Sequence, residues 1–382
     1  TKIIYLSIPQ FGGTSASMTA ATALSQCKHR SFSIPQAILY CFTLALVFVI
    51  SLYAFVPPSV RQLRRDNASH MKWRGGVVVA VASVGIAVYP WLFCEYDTHG
   101  DGIIWHRYIG VSASLNDTKL LQVMKAVLHA AVLYLGSFTF YWLHFYHYAG
   151  ILQMEEMRPR NSNTSSKLPL LPKPQYMLIS VNRLWMKSTK ESLESFLKDE
   201  TYRWTILRNL YIAPISEEVI FRACIISPLL SSHNDDDLLT LSPTQVCWIA
   251  PLFFGVAHLH HFYEQYRRLP LLQRTKQEIS QLIVGLLFQL IYTTLFGAYA
   301  SHLLIRTGSL LAVILVHIFC NYMGLPDVSF ASPTSGLYCY RWLLWCAYFI
   351  GIALFIKGFY SSWMFPEESV LPSLLEHGVT IL

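Results

Sequence analysis

Charge is what this sequence has little of. Only 13% of its 382 residues are Asp, Glu, Lys or Arg, against about 25% in an ordinary soluble domain. In contrast, 53% are hydrophobic and the mean hydropathy is +0.39. That balance excludes a water-soluble globular chain and identifies a membrane protein. No polar stretch is long enough for a separate soluble domain, so the chain reads as one polytopic unit. No CxxC spacing occurs. The eight cysteines (27, 41, 94, 224, 247, 320, 339 and 346) are scattered, mostly in apolar segments, and indicate neither a disulfide framework nor a zinc cluster. HExxH, GxSG and GxGD are also missing, which removes the usual zinc, serine and aspartate hydrolytic signatures. The net charge of +7 lies in loops, where it is orientation information and not a nucleic-acid surface.

Hydropathy predicts an all-α fold of about eight transmembrane helices, near 36–56, 77–94, 126–146, 206–230, 244–262, 280–300, 308–325 and 341–360. Three connections are basic: 57–76, 148–205 and 263–278. The acidic loops 95–120 and 232–237 fall on the opposite side. The positive-inside rule then places the basic loops in the cytosol and both termini on the lumenal or external side, although Lys28, His29 and Arg30 run against it. That basic cluster follows a weakly apolar stretch instead of preceding it, so residues 1–30 do not read as a signal peptide. Of the sequons at Asn67, Asn116 and Asn163, only Asn116 would face a glycosylating compartment.

Residues 158–176 read as a flexible linker. The following Val181–Glu200 stretch is amphipathic and suits either the cytosolic membrane surface or a solvated helix. The run from Asp97 to Gly102 has part of a calcium-loop pattern without its terminal glutamate, and is read as a lumenal turn.

Against this apolar background stands Glu217-Glu218-Val219-Ile220-Phe221-Arg222. Ionisable groups are costly at membrane depth and signal function there. Residues i and i+4 share a helix face, whereas neighbours point about 100° apart. Glu218 is therefore set to pair with Arg222, and Glu217 to face a water-filled cavity. Phe254 with His258, and His317 with Asn321, repeat the four-residue spacing in two other apolar segments. Each pair alone suits helix-to-helix glue or an ion-pair cluster. Together, one carboxylate, two imidazoles and an amide supply the base, acid and oxyanion donors of a peptide-bond hydrolase. Spacing also leaves a zinc set of Glu217, His258 and His317 open. His260 and His261, by contrast, read as interfacial or packing residues.

Several segments carry a family resemblance: Leu207-Arg208-Asn209, Ala213 to Cys224, Pro251 to His258, Phe296-Gly297-Ala298-Tyr299, Ile305-Arg306-Thr307-Gly308 and His317 to Gly324. Over about residues 203–326 the chain resembles the type II CAAX prenyl proteases, Ras-converting endopeptidases of the endoplasmic reticulum. The ordered set is far more specific than EExxxR alone, while the first 200 residues resemble the family mainly in hydropathy. The resemblance implies metal-independent, glutamate-dependent hydrolysis without a cofactor, in a catalytic core over about 203–326 behind a cytosolic linker over about 148–205. It implies that Glu217 and His258 activate water, that His317 and Asn321 stabilise the oxyanion, and that Glu218 and Arg222 support them. The implied substrates are farnesylated or geranylgeranylated CaaX proteins such as Ras-type small GTPases, cleaved after the prenylated cysteine. The active site would be reached from the cytosolic side of the endoplasmic reticulum membrane, with lipid as a further partner and no nucleic acid. A non-enzymatic scaffold and a transporter are the competing classes. The complete Glu/His/His/Asn set argues against the scaffold. The transporter lacks clear internal repeats.

Overall fold

Long apolar helices dominate the computed structural model, which describes residues 26–30, 32–64, 66–96, 103–111, 116–156, 188–233, 241–268, 275–365, 369–372 and 375. The Asp97–Gly102 turn, the 158–176 linker, residues 181–187 of the amphipathic stretch, residues 235–237 of the acidic loop and Asn163 lie outside the described residues.

Helix starts follow local chemistry. Ser33 and Gln36 form a capping box at α1 (Ile34–Ala54). The sequon asparagines Asn67 and Asn116 serve as N-caps, accepting from Ser69 N and Lys119 N at the heads of α2 (Ala68–Phe93) and α3 (Asp117–Leu133). The chain then bends by 66° at Tyr134 into α4 (Leu135–Glu156). Residues 188–198 are helical and largely exposed. Next come α5 (Glu200–Leu207), α6 (Ala213–Glu218) and α7 (Ile226–Leu230), joined through wider π turns at Arg208–Ile212 and Val219–Ala223. The remaining helices are α8 (Pro243–Arg268), α9 (Lys276–Thr307), α10 (Leu310–Met323) and α11 (Arg341–Phe359).

Helices cover all eight hydropathy segments, and the chain is a multi-pass helical membrane protein. Among the described residues, α1, α2, α9 and the 338–359 helix are each long and apolar enough to cross a membrane, and α3 with α4 makes a fifth such span if counted together. The 206–230 segment is a series of short pieces, and α10 has 14 residues.

The cysteine pattern misled in one place. Cys27 and Cys94 form a disulfide across 67 residues of sequence, with Cα atoms 5.3 Å apart. The antiparallel α1–α2 hairpin brings together segments that spacing alone does not connect. Each cysteine lies in a short strand: β1 (Gln26–His29) sits between β2 (Cys94–Tyr96) and β3 (Ile103–Ile104), antiparallel to both. Beneath this sheet His29 meets Tyr89 Oη at 2.8 Å and stacks on Phe93. Burial lowers its pKa to about 4, so the imidazole is neutral.

The buried core centres on the α5–α7 run, where Ile220, Ile225, Ile226 and Leu229 are wholly enclosed. Gly308, at φ +58°, ends α9 in the left-handed conformation, and Ser309 caps α10 by accepting from Ala312 N. This tight turn folds α10 back along α9 and against α6, setting His317 beside Phe296 with ring centroids 4.8 Å apart.

Candidate active site

The carboxylates close α6, between its two π turns, which are a common device for re-aiming side chains at functional sites. Glu218 is completely enclosed. Its Oε2 lies 3.2 Å from Arg222 Nε, and its Oε1 accepts from His317 Nδ1 at 2.6 Å. With Nδ1–H committed to Glu218, Nε2 is the nitrogen of His317 that faces Glu217, whose Oε2 is 3.9 Å away. That is ion-pair range but beyond a direct hydrogen bond. Glu217 keeps 22% of its side chain exposed against none for Glu218, and it lines the cavity. Arg222 and Glu218 balance one another, as a charge enclosed among apolar helices requires.

Aromatic faces complete the cluster. The Arg222 guanidinium carbon stands 5.0 Å from the Phe254 ring centroid and 6.0 Å from that of Phe296, while its outer nitrogens make no hydrogen bond. Phe254 also packs edge-on against the His258 ring, and its carbonyl accepts from His258 Nδ1 at 2.8 Å. This fixes the tautomer that leaves Nε2 of His258 as the basic nitrogen. Gly297 allows the close approach of α8 and α9: a Cβ there would stand 2.7 Å from Pro251 Cβ and 3.2 Å from Arg222 Nη2.

Glu217, His258, His317 and Asn321 all line one cavity of 370 Å³, together with Asn209, Tyr292 and Phe296. Asn321 is exposed to it, and its Nδ2 donates to the Asn209 carbonyl at 2.9 Å. The amide has two hydrogens, so one remains for an oxygen bound in the cavity. His260 is bonded to the Ala257 carbonyl and packs against Tyr53, and with Glu217 and His258 it lines a smaller cavity. Among the described residues no group of three His, Cys, Asp or Glu side chains is disposed to hold a metal ion. Spacing did not anticipate the Glu218–His317 bond or the contributions of Asn209 and Phe296. Arg208-Asn209 and Phe296-Gly297 stood out in the sequence only through the family resemblance.

The fold and site define a class: multi-pass helical membrane proteins with a carboxylate–imidazole cluster facing a polar cavity between their helices. Within that class, this chain belongs to the type II CAAX prenyl endopeptidase family. Residues 199–323 match the family model described as Type II CAAX prenyl endopeptidase Rce1-like. The chain is 30% identical over 320 residues to CAAX prenyl protease 2 of Homo sapiens, covering 83% of this chain and 78% of that one. CAAX prenyl protease 2 of Arabidopsis thaliana is 29% identical over 297 residues, or 78% and 82% of the two chains. The Probable CAAX prenyl protease 2 of Schizosaccharomyces pombe is 28% identical over 290 residues, or 76% and 81%. No solved structure matches the chain.

Proposed function

We propose that this CAAX prenyl endopeptidase hydrolyses the peptide bond after the prenylated cysteine of a CaaX protein with Glu217 as general base. Glu217, with His258 lining the same cavity, takes a proton from water, and the hydroxide adds to the scissile carbonyl carbon. The resulting oxyanion receives hydrogen bonds from His317 Nε2–H and the Asn321 amide. Collapse breaks the C–N bond, and the proton taken up by Glu217 passes, directly or through His258, to the leaving amine, releasing the aaX tripeptide. Glu218 holds His317 in the donating orientation, and Arg222 balances Glu218. The observation that carries this reading is that one carboxylate, two imidazoles and one amide, from three separate helical segments, line a single cavity.

Ras-type small GTPases in the endoplasmic reticulum membrane are the substrates this reading favours, approached from the cytosol. Two features support the orientation. The connections at 57–76 and 263–278 are basic, and the Cys27–Cys94 disulfide at the other end of α1 and α2 suits an oxidising lumen. The test is purified protein with a farnesylated CaaX peptide, following tripeptide release. The wild type is expected to cleave, and Glu217→Gln to fold normally and not cleave. Near-normal turnover by Glu217→Gln removes Glu217 from the mechanism.

A further inference from the structure

A second cavity shares a wall with the one that Glu217 lines. Its volume is 640 Å³, and it shares Tyr292, Phe296 and Cys320 with the polar cavity. From this shared wall it follows α9 to His302 and Arg306. Fourteen residues separate Tyr292 from Arg306, roughly 21 Å at about 1.5 Å per residue. Trp248 of α8, Leu133 of α3 and Phe355 of α11 form its sides.

In the middle of this wall the protein itself occupies the Tyr299 hydroxyl, while His302 and Arg306 keep the far end polar. His129 Nδ1 meets Tyr299 Oη at 3.0 Å, its Nε2 meets the Phe355 carbonyl at 2.8 Å, and its ring stacks on Phe355 at 4.4 Å. These contacts fix α3, α9 and α11 to one another and present carbon to whatever enters. A peptide would lose its hydrogen bonds there, whereas a hydrocarbon loses nothing.

We infer that this cavity receives the isoprenoid tail of the substrate's prenylcysteine, and that its His302–Arg306 end limits the tail length accepted. The inference rests on the endopeptidase reading above. It commits to the isoprenoid because the cavity shares a wall with the scissile-bond site, is mostly apolar up to its His302–Arg306 end, and extends far enough for several isoprene units. The other cavity beside Glu217, toward Phe48 and Arg74, measures 110 Å³, well under the roughly 300 Å³ of ordinary ligand pockets. A geranylgeranyl tail has one isoprene unit more than farnesyl, and that unit is the part that reaches the polar end.

The experiment uses the full chain in phosphatidylcholine proteoliposomes with one CaaX sequence bearing either tail. Thr244 borders the cavity beside the α9 C-terminal end, and Leu295 borders it near the shared wall. Both are exposed, so tryptophan at either position does not overpack a core. Thr244→Trp is expected to raise KM for the geranylgeranyl peptide about tenfold, the scale of unburying one or two methylenes, and for the farnesyl peptide less than about threefold. Leu295→Trp is expected to raise KM about tenfold for both, with smaller changes in kcat. A farnesyl peptide bearing a diazirine near the tail end should label Trp248, Tyr299 or Phe355 of the wild type, which tests the site even if a variant fails to fold. Label on Phe48 or Leu52 instead, or equal KM changes for the two tails in folded Thr244→Trp, overturns the inference. So does native mass spectrometry showing a phospholipid retained in the cavity through turnover. A wild type that cleaves neither peptide defeats the endopeptidase reading itself, a distinguishable failure.

Discussion

Glu218→Gln is the most informative single substitution, because Glu218 holds two partners in different ways. Its two oxygens are committed at 3.2 Å to Arg222 and at 2.6 Å to His317, with no solvent exposure. Glutamine keeps the volume and removes the charge. Arg222 then stands buried and uncompensated, at a cost of about 3–5 kcal/mol for a broken buried pair. His317 loses the carboxylate that fixes its Nδ1–H, and disturbing such a tautomer lowers kcat by up to about 10⁴-fold in comparable acid–imidazole pairs. Both losses are expected, with kcat falling far more than KM rises. The double variant Glu218→Gln with Arg222→Met separates them. Removing both ends of a buried ion pair is often neutral or stabilising, so thermal stability should return. Activity should not, because His317 still lacks its anionic acceptor. The assay is kcat and KM on a farnesylated CaaX peptide alongside thermal unfolding of the same preparations. If the double variant recovers kcat together with stability, Glu218 serves Arg222 alone and its positioning role for His317 is wrong.

Asn321→Leu should lower kcat about 100- to 1,000-fold, as loss of one oxyanion donor does. A less stable protein with unchanged kcat would reduce Asn321 to its bond with the Asn209 carbonyl, worth about 0.6 kcal/mol on the membrane scale. EDTA or phenanthroline should leave cleavage intact, and loss of activity restored by added zinc would establish Glu217, His258 and His317 as metal ligands instead. Gly297→Ala should destabilise by about 1–3 kcal/mol through overpacking against Pro251 and Arg222, read as a lowered unfolding temperature, and a neutral result would contradict the close α8–α9 approach. Asn116 should accept a glycan and residues 263–278 should label from the cytosol, so lumenal labelling of that loop would invert the proposed orientation.

Legibility in the sequence followed the range of each interaction. The pairings of Glu218 with Arg222 and of Phe254 with His258 are one helical turn long, and four-residue spacing is enough to read them. Contacts between helices were not legible. The Glu218–His317 bond joins residues 99 apart, and Asn321 turns out to meet a backbone carbonyl that a π turn presents. The cysteines show the same limit: Cys27 looked like any of its seven companions until the α1–α2 hairpin set it opposite Cys94.

By itself the sequence determined that the chain is helical and membrane-embedded, because backbone groups in lipid must be satisfied within each segment and apolar length is a local property. It also determined which polar side chains fall in apolar segments and which of them share a helix face. Tertiary structure alone decided which nitrogen of His317 faces Glu217, how a guanidinium is tolerated between Phe254 and Phe296, and that the polar cavity shares a wall with a mostly apolar one along α9. Those outcomes depend on how neighbouring helices pack, and the spacing of residues along one helix carries no information about the rotation or depth of the next.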